Sequence, residues 1–205
     1  MIVLDVINRL KPFGIFSTSD LALMYPGIDK RRLFEWQAKG YIIKLRNGWY
    51  ALPEFFSEDF SPWVIANLTH APSYISLEAA LSYYGIIPEG VFMTTSVTTN
   101  RPVRLEMASH TYSYSKIKPA LFFGYGLLEA KKYKRKIKIA DPEKSIVDFF
   151  YFRSEYNSPK AISELRFSNP FLNDSLNTER LFEYVERMKN KQLENRINIL
   201  LTQAG

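Results

Sequence analysis

The residues best suited to chemistry in this chain are three consecutive cations, Lys30, Arg31 and Arg32, at the start of a predicted helix. An arginine near the N-terminal end of an exposed helix can donate two hydrogen bonds to a guanine in the major groove of DNA. Lysine and arginine side chains also neutralise backbone phosphates. The cluster therefore predicts a nucleic-acid contact, with Arg31 and Arg32 as the candidates for base recognition.

Three short helices are predicted around this cluster. Apolar residues at helical spacing predict the first helix over residues 1–11. The run 17–20 supplies capping chemistry for the second helix, with Thr18 as the expected cap, and Asp29 can cap the third.

The third helix is expected to bury one apolar face and to present its cations on the other. Leu33, Phe34 and Trp36 are expected to face inward, and Gly40 supplies the left-handed residue that ends the helix. After Gly40 the pattern changes to two strand-like runs joined around Asn47-Gly48, which is a strong signal for a tight hairpin.

Three helices followed by a hairpin predict a winged helix-turn-helix over residues 1–56. In that arrangement the third helix enters the major groove and the hairpin tip reaches phosphate or the minor groove. The predicted DNA-binding residues are Thr18, Ser19, Lys30, Arg31, Arg32, Glu35, Lys39, Lys44, Arg46 and Asn47. The alternative is that these cations form a solvated helix face and that the winged helix mediates contacts with protein.

The rest of the chain, residues 62–205, predicts a mixed α/β domain that follows a linker over residues 54–61. Ser76 is expected to cap a helix, and several strands are expected between residues 91 and 124. The tail, residues 158–205, is predicted to be helical, with apolar stripes that pack on this domain or against a second copy of the chain. The predicted fold class is therefore α+β.

A second basic stretch spans residues 131–138, in which six of eight residues are cations: Lys131, Lys132, Lys134, Arg135, Lys136 and Lys138. It is a candidate for a second contact with the DNA backbone. The alternative is a solvated hairpin, or an edge strand that lysines protect from aggregation. The residues alone leave both interpretations open.

Carboxylates and histidines offer little chemistry beyond this. Helix capping explains Asp141 and Glu143 more simply than catalysis does, and we predict no catalytic role for them or for Asp148. His70 and His110 lie 40 residues apart, and the chain has no cysteine. We therefore predict no metal, no cofactor and no enzymatic activity. A nucleic-acid enzyme in which these carboxylates hold a metal is the remaining alternative.

Composition and charge favour a soluble, cytoplasmic protein with a polyanionic partner. The net charge is +6, and the N-terminus lacks the basic and apolar regions of a secretion signal. No run approaches the roughly 20 apolar residues that cross a bilayer, so no membrane contact is expected.

The chain resembles the AbiEi family, antitoxins of bacterial and archaeal type IV toxin-antitoxin systems. The matching stretches run from Gly40 to Leu52, from Tyr74 to Glu89 and from Ile139 to Asp148. Their order and spacing carry the resemblance, from which the region after Ser154 departs.

The resemblance implies a transcriptional repressor that binds repeats in its own promoter, as double-stranded DNA, through the winged helix. It also implies a neighbouring gene for a nucleotidyltransferase-like toxin. The second domain would counteract that toxin without forming a stable complex with it.

Overall fold

The chain has an α+β fold, as the sequence predicts, in a computed structural model that describes residues 3–204. Residues 1, 2 and 205, which the predicted domain ranges include, lie outside the described residues. The N-terminal part contains helices α1 (Val3–Leu10), α2 (Thr18–Met24) and α3 (Arg31–Ala38) and strands β1 (Ile15–Ser17), β2 (Ile43–Lys44) and β3 (Trp49–Ala51). The three strands form an antiparallel sheet in the order β1-β3-β2. Strand β1 was not predicted, because three residues are too few to show a period.

Helix α2 begins with a capping box, and its cap is Ser17 and not Thr18 as predicted. The Ser17 hydroxyl accepts a hydrogen bond from the Asp20 backbone nitrogen at 3.1 Å, and the Asp20 carboxylate accepts one from the Ser17 nitrogen at 2.8 Å. This reciprocal pair requires an acidic residue three positions after the cap. Asp20 lies three positions after Ser17, whereas Thr18 has no acidic residue at that spacing. Thr18 is helical, and its nitrogen donates to the Gly48 carbonyl at 2.8 Å.

Helix α3 buries two of the three residues that were expected to face inward. Leu33 and Trp36 are each 4% exposed, whereas Phe34 is 67% exposed, so the prediction for Phe34 was wrong. Phe34 lies three residues after Arg31, and this spacing places both side chains on the outward face of the helix. The Asp29 carboxylate accepts a hydrogen bond from the Arg31 nitrogen at 2.9 Å. It therefore supplies an acceptor for one of the first backbone N–H groups of α3, which have none within the helix.

The rest of the chain forms a six-stranded mixed sheet in the order β6-β7-β5-β4-β9-β8. Its strands are β4 (Ser73–Ile75), β5 (Met93–Thr98), β6 (Val103–Met107), β7 (His110–Lys116), β8 (Tyr125–Ala130) and β9 (Arg135–Ala140). The helices are α4 (Ser61–Thr69), α5 (Glu78–Tyr83), α6 (Pro142–Phe152), α7 (Pro159–Ser163), α8 (Thr178–Met188) and α9 (Lys191–Ala204). Strand β5 is parallel to β7 and β4 is parallel to β9, while the other pairs are antiparallel.

Two local predictions in this part were wrong. Ser76 does not cap α5, because its hydroxyl donates to the buried Asp148 carboxylate at 2.9 Å. The hydroxyl of Thr95, on the neighbouring strand β5, accepts from the Ala79 nitrogen instead, at 3.0 Å. The apolar run 120–124, expected to be a strand, begins within a short turn at Pro119–Leu121.

The apolar stripes of the C-terminal helices pack on the second part of the chain, which contains the six-stranded sheet and helices α4 to α9. One cluster with residues of α5 and α6 buries Leu181, Val185, Leu193 and Ile197. Of the two expectations for these stripes, packing on this domain is therefore confirmed. Phe182, next to this face, is 42% exposed.

The N-terminal part is fixed to the rest of the chain at Gly14, between α1 and β1. Gly14 has a φ of +66°, and a Cβ atom there would lie 2.3 Å from Cδ2 of Phe55 and 2.7 Å from Cδ1 of Tyr133. Arg135 donates to the Ile15 carbonyl at 2.7 Å. Its guanidinium lies 5.3 Å from the centroid of the Phe13 ring. Both ring packing and a hydrogen bond therefore hold this junction.

We expect Gly14→Ala to lower the free energy of unfolding by about 2 to 5 kcal/mol, since it adds left-handed strain and an overlap with two rings. Gly27→Ala is the matched control, because Gly27 also has a positive φ of +79° but has no atom within 4 Å of its Cβ position. It should lose only about 1 to 2 kcal/mol. Urea denaturation measures both, and equal losses would contradict the packing at Gly14.

Candidate nucleic-acid interface

The outward face of α3 is an exposed charged surface of the N-terminal part. Arg31, Phe34, Glu35 and Ala38 follow each other at helical spacing, and all four are exposed. The Arg31 side chain is 88% exposed. Arg32 is half-buried on the flank of this face, so Arg31 is the better placed of the two predicted base-contacting arginines.

An acidic neighbour offsets part of this positive charge. The Arg31 Nε lies 3.3 Å from a carboxylate oxygen of Asp29, and the Asp29 side chain is 54% exposed. An exposed ion pair of this kind stabilises by about 0 to 1 kcal/mol, so a phosphate or a base can replace it at little cost.

Other predicted residues extend the surface at the start of α2 and in the hairpin. Ser19, Lys44 and Asn47 are exposed, and Thr18 is half-buried. Asn47 has a φ of +50°, and the next residue, Gly48, has a φ of +76°, as a two-residue hairpin turn requires. The hydrogen bond between Thr18 and Gly48 brings the start of α2 and the hairpin tip together. Lys30 and Lys39 are exposed at the two ends of α3.

Arg46 does not extend freely from the hairpin tip. It is half-buried, and its Nη1 atom is enclosed without a hydrogen-bond partner among the described residues. Burial lowers the pKa of the His70 imidazole, and the positive charge of Arg46 lowers it further. Leu45 and Trp49 also pack against an apolar cluster that contains residues of both parts of the chain. One side of the hairpin is therefore occupied by the protein itself.

The second basic stretch spans the connection between β8 and β9 and continues into the first residues of β9. Lys132 forms an ion pair with Glu58, and Arg135 belongs to the junction described above. Lys131, Lys134 and Lys136 are exposed, and Lys138 is half-buried. Strand β9 lies between β4 and β8, so the interpretation as an edge strand was wrong and the hairpin interpretation agrees with the geometry.

The carboxylates considered for catalysis serve the architecture. The Asp148 carboxylate is fully buried, accepts hydrogen bonds from the Tyr74 and Ser76 hydroxyls at 2.9 Å each, and pairs with Lys144. The Asp141 carboxylate caps α6 through the Lys144 nitrogen at 2.8 Å, and Glu143 accepts from the Asn177 nitrogen at 2.9 Å. Across residues 3–204, no group of three acidic, histidine or cysteine side chains is arranged to hold a metal ion.

Sequence reasoning missed Phe34 as a member of the outward face. Its position three residues after Arg31 and one before Glu35 was the available signal. An aromatic side chain in a short helix favours a position in the core, because most aromatic residues are largely buried.

Comparison with known proteins extends this description only as far as the fold. No protein-family model and no curated protein matches the chain. Among solved structures, the chain is similar to the crystal structure of the RV2827C protein from Mycobacterium tuberculosis, with a TM-score of 0.62 and 17% sequence identity. The alignment covers 99% of this chain and 76% of that chain. In the described part of the chain, no helix has both the length and the apolar character needed to cross a bilayer.

We expect Asp148→Asn to destabilise the fold by about 3 to 5 kcal/mol, because it leaves the buried Lys144 ammonium without a counter-charge. Asp174→Asn, the same change at an exposed position, should change the free energy of unfolding by less than about 0.5 kcal/mol. Urea denaturation of both variants is the measurement, and an undiminished stability of Asp148→Asn would contradict the structural role of this carboxylate.

Proposed function

We propose that this protein is a transcriptional regulator that binds double-stranded DNA through an N-terminal winged helix. The order α1-β1-α2-α3-β2-β3, with β3 between β1 and β2, supports this proposal, because three helices followed by a hairpin are the elements expected of a winged helix. Helix α3 is then the candidate recognition helix. The observation that carries the proposal is the outward face of α3, where the Arg31 side chain is 88% exposed.

The dimensions and charge of this face suit a DNA duplex. An α-helix with its side chains is about 10 to 12 Å in diameter, so α3 can enter a major groove that is about 12 Å wide. Exposed cations flank the face at Lys30, Lys39 and Lys44, where they could neutralise phosphates. The residues thus combine a candidate base contact with candidate backbone contacts.

The carboxylates support a role without catalysis. Asp141, Glu143 and Asp148 are all engaged in hydrogen bonds that close helix ends or a buried ion pair. An enzyme that acts on nucleic acid through a metal held by these carboxylates would need them to remain open to the metal or to the substrate. We therefore propose that the protein is not an enzyme. We also propose that it acts in the cytoplasm, on its own promoter.

The family resemblance extends the proposal to an autorepressing antitoxin that counteracts a nucleotidyltransferase-like toxin. Two of the three stretches that carry the resemblance are hydrogen-bonded to each other: the Tyr84 hydroxyl donates to the Ala140 carbonyl at 2.9 Å, and the Tyr74 hydroxyl donates to Asp148 at 2.9 Å. Because these residues lie in the interior of the second part, they support the proposal that this part shares its core with the AbiEi family.

Arg31→Ala is expected to weaken binding to the upstream duplex of its own gene by about 5- to 150-fold, the range for loss of a bidentate base contact. Arg104→Ala removes the same charge from an exposed position on β6 and should leave the affinity within about twofold of the wild type. Fluorescence anisotropy with a labelled duplex measures both. Equal affinities for the two variants would contradict the role of α3.

Asp29→Asn should act in the opposite direction. The amide oxygen can still accept from the Arg31 nitrogen, but the charge that pairs with the Arg31 side chain is gone. Binding should tighten by about 1.5- to 5-fold at low salt, the range expected for release of a surface ion pair. Weaker binding would mean that Asp29 supports the DNA-bound form.

The antitoxin proposal predicts that a nucleotidyltransferase-like protein encoded beside this chain arrests growth when expressed alone. Co-expression of this chain should restore growth without co-purification of the two proteins. Because the second part would counteract the toxin, Arg31→Ala should restore growth as well as the wild type does. Persistent arrest in the presence of the expressed chain would contradict antitoxin activity and leave DNA binding untouched.

A further inference from the structure

Phe34 is an exposed aromatic side chain at the centre of a face that otherwise carries charged and small residues. It is 67% exposed, whereas Leu33 and Trp36 on the opposite face of α3 are each 4% exposed. Within residues 3–204 it belongs to none of the three apolar clusters, either as a buried member or as a residue packed against one. Its side chain therefore contributes little to the core of the folded chain.

The surroundings of Phe34 indicate what kind of surface it meets. Arg31 lies one turn before it on the same face, Glu35 is adjacent, and Lys30 and Lys39 are exposed at the ends of the helix. A protein-binding apolar patch is usually a contiguous apolar area with a polar rim. Here a single ring lies among charged residues, of which Lys30, Arg31 and Lys39 are cations, and this favours a polyanion that also presents a small apolar group.

We infer that Phe34 contacts the 5-methyl group of a thymine in the major groove, an inference that rests on the proposed function of α3. Thymine is the base that presents an apolar group there, and phenylalanine is one of the side chains that contact it. On the same face, Arg31 can donate to guanine, and the Glu35 carboxylate can accept from the amino group of cytosine. The recognition site therefore contains a thymine next to G·C pairs, and Phe34 is a specificity-determining residue.

Replacement of thymine by uracil tests this assignment, because it removes the methyl group and leaves the pairing edge unchanged. The wild-type protein is first used to select its preferred duplex from a random-sequence pool. Each thymine of that duplex is then replaced by uracil, one at a time, and the affinities are measured for the wild type, Phe34→Ala and Phe92→Ala. Phe92 is 94% exposed in the connection between α5 and β5, so Phe92→Ala is the same chemical change away from α3.

For the wild type, one uracil replacement in each bound site should weaken binding by about fourfold, the effect of one buried methyl group. Phe34→Ala should be insensitive to that replacement, and Phe92→Ala should be as sensitive as the wild type. Because Phe34 is exposed, the thermal unfolding midpoints of the variants should match that of the wild type.

Two results would overturn the inference in distinguishable ways. If a duplex is selected but no uracil replacement weakens wild-type binding, or if Phe34→Ala keeps the wild-type sensitivity, the thymine contact is wrong and DNA binding stands. If the wild type selects no duplex at all, both the contact and the proposed function are wrong.

Discussion

Gly14 is the point on which the arrangement of the two parts of the chain depends, because no side chain fits there. The rings of Phe55 and Tyr133 occupy the space that a Cβ atom would need. Arg135 reaches across from β9 to the Ile15 carbonyl, and the Tyr133 hydroxyl donates to the Glu54 carbonyl at 2.9 Å. The outward face of α3 is therefore presented from a packed junction, in a set orientation to the six-stranded sheet.

This junction also explains a basic stretch that charge alone leaves ambiguous. Arg135 and Tyr133 are built into the contact between the two parts, and Lys132 is paired with Glu58. Desolvation by burial lowers the pKa of the Arg135 guanidinium, as expected for a charge held at an interface. Tyr133 and Arg135 thus hold the two parts of the chain together, whereas Lys131, Lys134 and Lys136 remain exposed.

The sequence predicts elements whose signal is local, such as the helices with clear apolar periods and the hairpin at Asn47-Gly48. It does not predict β1 and β4, which are three residues long and depend on pairing with strands distant in sequence. The failure at Ser76 has the same cause, since Thr95 from another strand takes over the helix start.

For the candidate site, residue type predicts Arg31, but only the fold shows that Arg46 is half-buried. Burial lowers the pKa of His70 and raises the pKa of Tyr114, and the charge of Arg46 acts to lower both pKa values. The hairpin therefore lies close to the second part, and no local pattern in the sequence encodes this proximity. The outward position of Phe34 follows from spacing alone. The hydrophobicity of phenylalanine favours a buried position, whereas the helical period places Phe34 on the outward face, and the period was the correct signal.

Binding of the purified protein to its own upstream duplex and to a scrambled duplex of equal length tests the central claim most directly. Both titrations should run from about 50 to 200 mM salt, the range in which phosphate contacts are lost. The account predicts that the upstream duplex binds more tightly throughout, and that both affinities fall as salt rises. Equal affinities at every salt concentration, or no binding to either duplex, would contradict it.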